Sequence, residues 1–342
     1  PADFTLVAAP GQELLAEVAA TTWPVGPRID ELVLRARSYR SRMRHDGEKP
    51  PSYIPDKGYG TLPTSTPEQH PNLVRVYIDA QEDYLHNRVY MLGALIVGAE
   101  NGKESAERRR TIVRLADSPP DTEAAEQHLL VDWISEVLKA VIDVAAPDAD
   151  GEPRAPVHLI FWEPLTQKLL LDALARHFRT IVEATPLYDF MTQMASFDSA
   201  LGSFLSEEIR QHRNYPFVCQ SLQSVAAWLG FNWNEPEEYR KLFAGRLFDF
   251  WGKFDSEDNT SWYMARSRFN SQIPLEYAYG AWDELPDVAE TREYRRFGAI
   301  TTANLAGFER RRLEALEHIT HNLPTNQDTT KTAYLLPDLH LL

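Results

Sequence analysis

Two apolar runs joined by a short polar stretch constrain this chain more than any other feature. Residues 73–80 (LVRVYIDA) and 88–97 (RVYMLGALIV) are dense in Val, Tyr and Ile, and 82–87 connect them. Such runs read as strands, and so short a connection makes the pair an antiparallel hairpin. A third run, 111–115, follows a polar turn containing Gly102. In 126–142, Leu129, Leu130, Trp133, Ile134, Val137, Leu138, Val141 and Ile142 recur at i, i+3/i+4 spacing, which predicts an amphipathic helix. A loop with Pro147, Gly151, Pro153 and Pro156 leads into a buried strand at 157–162. A helix over 165–182 follows, with Leu169, Leu170, Leu174, Phe178 and Ile181 on one side, and Pro186 opens a short strand at 187–190. From 197 the spacing is helical: 198–212, 220–229, 235–253, 258–270, 274–283 and 289–320, before an extended tail at 324–342.

Three meandering strands, then two strands that each need a helical crossover, predict an α/β fold. Its sheet is mixed, an antiparallel hairpin followed by parallel strands, with helices on its faces. A Rossmann domain would begin with a parallel βαβ unit and a Gly-rich first turn, and the sequence has neither. Pro50, Pro51, Pro55, Gly58, Gly60, Pro63, Pro67 and Pro71 make 49–71 an irregular linker or a loop pressed onto a surface. The expected division is a helical N-terminal segment (1–48), this linker (49–71), a core (72–232), and a helical C-terminal extension with its tail (233–342). The first residue is Pro1 rather than Met, and the expectation is a piece of a longer protein.

Composition removes several function classes. The only cysteine, Cys219, excludes a disulfide framework, a multi-thiolate zinc site and a Cys-x-x-Cys pair. The longest apolar runs fall far short of the roughly 20 residues that span a bilayer. With no secretory signal either, the expected location is the cytoplasm, away from membranes. Gly98 to Glu104 fails as a phosphate loop, being one residue short and ending in Glu where Ser or Thr would hold Mg²⁺. No His-Glu-x-x-His pair or Gly-x-Ser-x-Gly elbow occurs. His177, beside Phe178 on an apolar helix, reads as a packing histidine rather than a ligand.

A net charge of −15 argues against a generic nucleic-acid coater. Charge is nevertheless segregated. Residues 28–44 carry Arg28, Arg35, Arg37, Arg40, Arg42 and Arg44 against Asp30 and Glu31, whereas 116–152 hold ten acids against Lys139 alone. Arg35, Arg40 and Arg44, with Arg266 and Arg268 beside the tryptophans of the C-terminal half, are the candidate nucleic-acid contacts. Binding there would be weak and strongly salt-dependent. Arg310, Arg311 and Arg312 read as a helix leading to a further domain, or as a solvated face.

Asp79 closes a strand as apolar as VRVYI, a placement that costs free energy unless the carboxylate sits at the strand end facing a positive charge. Two cations about 4 Å apart need about four carboxylates converging from different elements. The stretch 74–98 (VRVYIDAQEDYLHNRVYMLGALIVG) resembles the first hairpin of the ribonuclease H-like exonuclease domain of predicted bacterial RecB-family nuclease–helicase proteins. PLYDF (186–190) resembles that family's aspartate-bearing strand, and QSLQSVAAWLGFNW (220–233) its helix ending in Leu-Gly-Phe. The likeness covers about 72–310 as a succession of short motifs. It implies a ribonuclease H-like sheet, neighbouring nuclease and helicase domains as partners, and a role in repair or bacterial defence.

The family's metal pattern transfers only in part. Asp79 fits the first Asp-x-Glu, but the Glu position is Gln81. The second carboxylate falls on Gln167, with Glu163 nearby as a substitute. Asp189 supplies the strand-five aspartate. Aligning a later Asn with Asn304 puts Gly307 where the last acid belongs, with Glu309 two residues on. Asp79 and Asp189 are thus the metal ligands the resemblance retains. A glutamine is nearly isosteric with glutamate but neutral, and it turns an NH₂ donor toward a cation. The resemblance therefore implies a pseudo-enzyme with a degenerate two-metal site, a structural or nucleic-acid-positioning module with no certain cofactor. The alternative is an active Mg²⁺- or Mn²⁺-dependent 3′–5′ exonuclease on single-stranded nucleic acid, with Asp79, Glu163, Asp189 and Glu309 as its catalytic carboxylates.

Overall fold

Side chains alternate across β1 (Val74–Asp83), and that alternation sorts the residues around it into two layers. The computed structural model describes residues 61–147, 155–184, 202–213, 215, 221–233, 235, 272–283 and 300–325. Two compact units divide the chain. Everything below concerns the unit comprising Gly58–Glu207 and Cys219–Leu342.

β1 pairs antiparallel with β2 (Arg88–Glu100), which pairs antiparallel with β3 (Lys103–Leu115). Helix α1 (Glu123–Val144) leads to β4 (Val157–Phe161), parallel to β1. Helices α2 (Pro164–Arg176) and α3 (Phe178–Ala184) precede β5 (Gly202–Phe204), parallel to β4. The result is a five-stranded mixed sheet in the order β3-β2-β1-β4-β5, flanked by helices. Later in the chain come α4 (Leu205–His212), of which only residues 205–207 belong to this unit, α5 (Leu222–Trp228), α6 (Leu275–Ala281) and α7 (Thr302–Thr320). No helix among the described residues is long and apolar enough to cross a membrane.

On one face, Val74, Val76, Ile78 and Ala80 of β1 join Leu92, Ala94 and Ile96 of β2 and Val157, Leu159 and Phe161 of β4. Helix α1 covers them with Leu130, Trp133, Ile134, Val137 and Val141, and α2 adds Leu170, Ala173 and Leu174. Each of these large side chains contributes about 1.5–3 kcal/mol on burial. Thr122 opens α1 by accepting from the Ala125 N–H.

The other face of β1 presents Arg75, Tyr77, Asp79 and Gln81, and α7 packs across β1, β2 and β3 there. Thr301 and Asn304 cap α7 reciprocally. Its Leu305, Leu313, Leu316 and Ile319 are fully buried, and α5 and α6 pack against it.

The structure departs from the expected elements in five places, the first being the helix expected over 289–320, which starts at Thr302 with Ile300 and its cap Thr301 outside it. β3 begins at Lys103 rather than 111, because its first half is a charged sheet margin without apolar alternation. The helix expected over 165–182 breaks at His177, whose Nε2 lies 2.8 Å from Glu126 Oε2. Within 198–212, read as helix, Gly202–Phe204 is a strand, with Ser203 Oγ 2.7 Å from His158 Nε2 and 2.6 Å from Thr61 Oγ1. The run Arg310–Arg312 is not a uniformly solvated face, because Arg312 is fully buried. The strand expected at 187–190, and with it Asp189, lies outside the described residues, as do 236–253 and 258–270.

Candidate functional site

Asp79 lies mid-sheet opposite Gly93 of β2, one residue past the Ile78–Phe161 pair that ends the β4 ladder. Its side chain is buried beneath α7. There Arg312 Nε donates to Asp79 Oδ2 at 2.5 Å and lies 3.7 Å from Glu309 Oε2. The two α7 residues are three apart and share one helix face, so both reach the same spot on the sheet.

Gln81, two residues along β1, points the same way as Asp79. Its Oε1 accepts from the Ile273 N–H at 2.7 Å, which fixes the amide with its NH₂ toward the carboxylates. Nε2 is 3.1 Å from Asp79 Oδ2 and 3.4 Å from Glu309 Oε2. Gln272 holds the strand from outside, its Nε2 donating to Ala80 O and its Oε1 accepting from the Glu82 N–H, each at 2.9 Å. A bulge between Gln81 and Glu82 follows directly.

Burial, then the neighbouring Asp79, pushes the Glu309 carboxyl well above its ordinary range, against the opposing pull of Arg312 and Gln81. Burial thus favours the neutral form of Glu309, and its Oε1 has no hydrogen-bond partner among the described residues. Burial alone would lower the Arg312 pKa, but Asp79 and Glu309 outweigh it and hold the guanidinium above its ordinary value. Burial likewise raises the Tyr90 phenol well above its ordinary value, with Glu309 adding to the shift. Asp79 and Arg312 form an ion pair, Gln81 is neutral, and burial disfavours charge on Glu309.

Of the residues read from sequence, Asp79, Gln81 and Glu309 come together. Gly307 does not share their direction, since helix positions two apart face different sides, so the α7 position opposite Asp79 is Glu309. Glu163 is the N-cap residue of α2, and its carbonyl accepts from the Thr166 N–H. Gln167 is buried on the same helix. Neither is a hydrogen-bond partner of Asp79, whose bonds come from the Ala80 N–H, Gln81 and Arg312. Arg35, Arg40, Arg44, Arg266 and Arg268 lie outside the described residues.

Arg312 is the residue sequence reasoning missed, although a signal for it exists. Leu305, Glu309, Arg312, Leu313, Leu316 and Ile319 form one buried stripe of α7, so Arg312 sits on the apolar face rather than the charged one. Asp83, at the end of β1, has its own role. Its carboxylate accepts from the Leu85 N–H at 2.8 Å, lies 2.7 Å from His86 Nδ1 and accepts from the Tyr279 hydroxyl at 3.0 Å, closing the hairpin turn.

These residues do not suit a pair of divalent cations. The Asp79 oxygen that would ligate one faces a guanidinium, Gln81 aims donors between the two carboxyls, and burial disfavours the charged form of Glu309. A second cluster, Glu104, Glu317 and His321, could geometrically hold one ion. Its carboxylates are already engaged, Glu104 by Arg75 and by His321 Nε2 at 3.0 Å, and Glu317 by a two-pronged contact from Arg109. None of the family models, curated proteins or solved structures compared with the chain matches it.

Proposed function

We propose that this chain is a ribonuclease H-like domain whose cation site has been replaced by an internal ion pair. It serves as a structural or nucleic-acid-positioning module of a larger nuclease–helicase protein. The observation carrying the reading is the fully buried Asp79–Arg312 pair with the Gln81 amide locked beside it. A carboxylate in the middle of an apolar sheet needs a positive partner, and α7 supplies a permanent one. The order β3-β2-β1-β4-β5, with an antiparallel meander followed by parallel strands, agrees with that fold. No catalytic step is assigned to Asp79 or Glu309.

The decisive experiment is single-turnover incubation of the chain with labelled single-stranded DNA and RNA in Mg²⁺ or Mn²⁺. No cleavage is expected. Cleavage abolished by Asp79→Ala refutes the proposal and restores the exonuclease reading. Fluorescence anisotropy with the same strands separates the two roles: weak binding that disappears with added salt marks a positioning module, and none at low salt a structural one.

A further inference from the structure

β3 is 13 residues long and stands at the margin of the sheet, paired among the described residues only with β2. In an antiparallel ladder, successive residues turn their backbone groups alternately toward the partner and away from it. The direction is fixed for residues 109–115; ahead of them the register with β2 shifts, and residues 105–108 have no partner there. The Ala116 N–H donates inward to Tyr90 O at 2.8 Å, so Arg110, Ile112 and Arg114 face β2. The carbonyls of Glu107 and Arg109 point off the sheet, because the exposed Arg110 side chain folds over the margin and donates Nη1 to both, each at 2.9 Å. The Glu107 N–H donates to Ser105 Oγ at 3.2 Å. Thr111 and Val113 share the outward orientation, and among the described residues nothing bonds their outward N–H and C=O groups.

The charges along this strand differ in how they are held. Arg108 pairs with Glu100, Arg109 with Glu317 on α7, and Arg114 with Glu136 on α1. Arg110 has no carboxylate partner among the described residues, and its guanidinium rests on the carbonyls of its own strand. A lone arginine across an open margin keeps neighbouring strands off. That protection is removable, because a carboxylate offered to Arg110 is a stronger acceptor than a peptide carbonyl.

We propose that the outer margin of β3 receives an extended acidic segment of a partner protein as an additional strand. Its main chain pairs with Arg109, Thr111 and Val113, and one of its carboxylates takes the Arg110 guanidinium. A second copy of the chain fits poorly. Antiparallel self-pairing centred on Arg109 would set Arg108 opposite Arg110, and like charges directly opposed are destabilising. The inference does not rest on the role of the Asp79 cluster.

The probe is a fluorescein-labelled ten-residue peptide alternating Glu and Val, titrated with the full chain by anisotropy at low salt. Saturable binding is expected, with new protection from hydrogen exchange at the amides of Arg109, Thr111 and Val113. Thr111→Pro should abolish binding without unfolding the sheet, because proline is tolerated where the N–H faces outward from a margin. Arg110→Glu should weaken binding by about tenfold or more and favour a Lys–Val peptide instead. The proposal is overturned by absence of saturable binding, or by equal binding of a peptide N-methylated at alternate residues. It is also overturned by equal competition from an oligonucleotide, or by a concentration-dependent dimer that Thr111→Pro dissociates.

Discussion

Replacing Arg312 by methionine removes the guanidinium that Asp79 faces while keeping most of the side-chain volume. Both partners are fully buried and 2.5 Å apart, so the Asp79 carboxylate is left without a counter-charge and out of reach of water. Breaking a buried pair by removing one member costs about 3–5 kcal/mol. At about 2–4 °C per kcal/mol for a domain of this size, the expected fall in Tm is roughly 10 °C. Asp79→Asn in the same chain removes the stranded charge, and replacing a whole buried pair by neutral groups of similar volume is often near neutral. The double variant should therefore recover most of the loss, with a coupling of about 2–3 kcal/mol. Urea unfolding followed by tryptophan fluorescence on the four proteins of the cycle measures it. If Arg312→Met costs less than about 1 kcal/mol, or Asp79→Asn restores nothing, the ion pair is not what secures the site.

Four further outcomes follow from the same geometry. The folded-state pKa of Glu309 is raised above 4.5, so its contribution to stability is complete below that pH and declines as pH rises through the folded value. Glu309→Gln should raise the urea midpoint near pH 7 and leave it unchanged near pH 4, and an unaltered slope between them contradicts the assignment. A Cβ on Gly93 would lie 2.7 Å from Glu309 Oε1 and 3.0 Å from Leu313 Cδ1, so Gly93→Ala should cost about 1–3 kcal/mol, part of which Glu309→Ala restores. Mn²⁺ should leave the Tm unchanged in a thermal-shift assay, whereas a rise that Asp79→Asn removes would establish cation binding. Its hydrogen bond to Glu104 raises the His321 pKa above 6.5, so the stabilisation is present below that pH and lost as pH climbs through the folded value. Solvent screens this half-exposed pair, so His321→Gln should flatten the alkaline limb by no more than about 1 kcal/mol.

The hairpin was legible because its strands are buried on both faces and so run dense in Val, Tyr and Ile, and α1 because burial of one face imposes a period of 3.6. β5 was not, since three residues carry no period, and Gly202-Ser203-Phe204 is defined by its neighbours on β4 and by the Ser203 contacts. The first half of β3 escaped for the opposite reason. A marginal strand is free to be charged, and KESAERRR satisfies its side chains with ion pairs rather than a core. At the site, Asp79 was conspicuous as an acid in an apolar run, and the loss of charge at Gln81 was visible in its residue type. The answering cation was hidden inside three consecutive arginines, where composition suggests water. Only the spacing of Leu305, Leu313 and Leu316 distinguishes Arg312 from Arg310.

Asp79 and Arg312 are separated by 233 positions in the chain. At about 5–20 residues per second, a ribosome needs tens of seconds to make the second after the first. The face of the sheet packed by α1 can consolidate early, whereas the opposite face must await α7. For that interval a nascent chain exposes an unshielded acid amid aliphatic surface, which makes this face the natural point for chaperone attention and, when α7 is delayed or truncated, for misassembly.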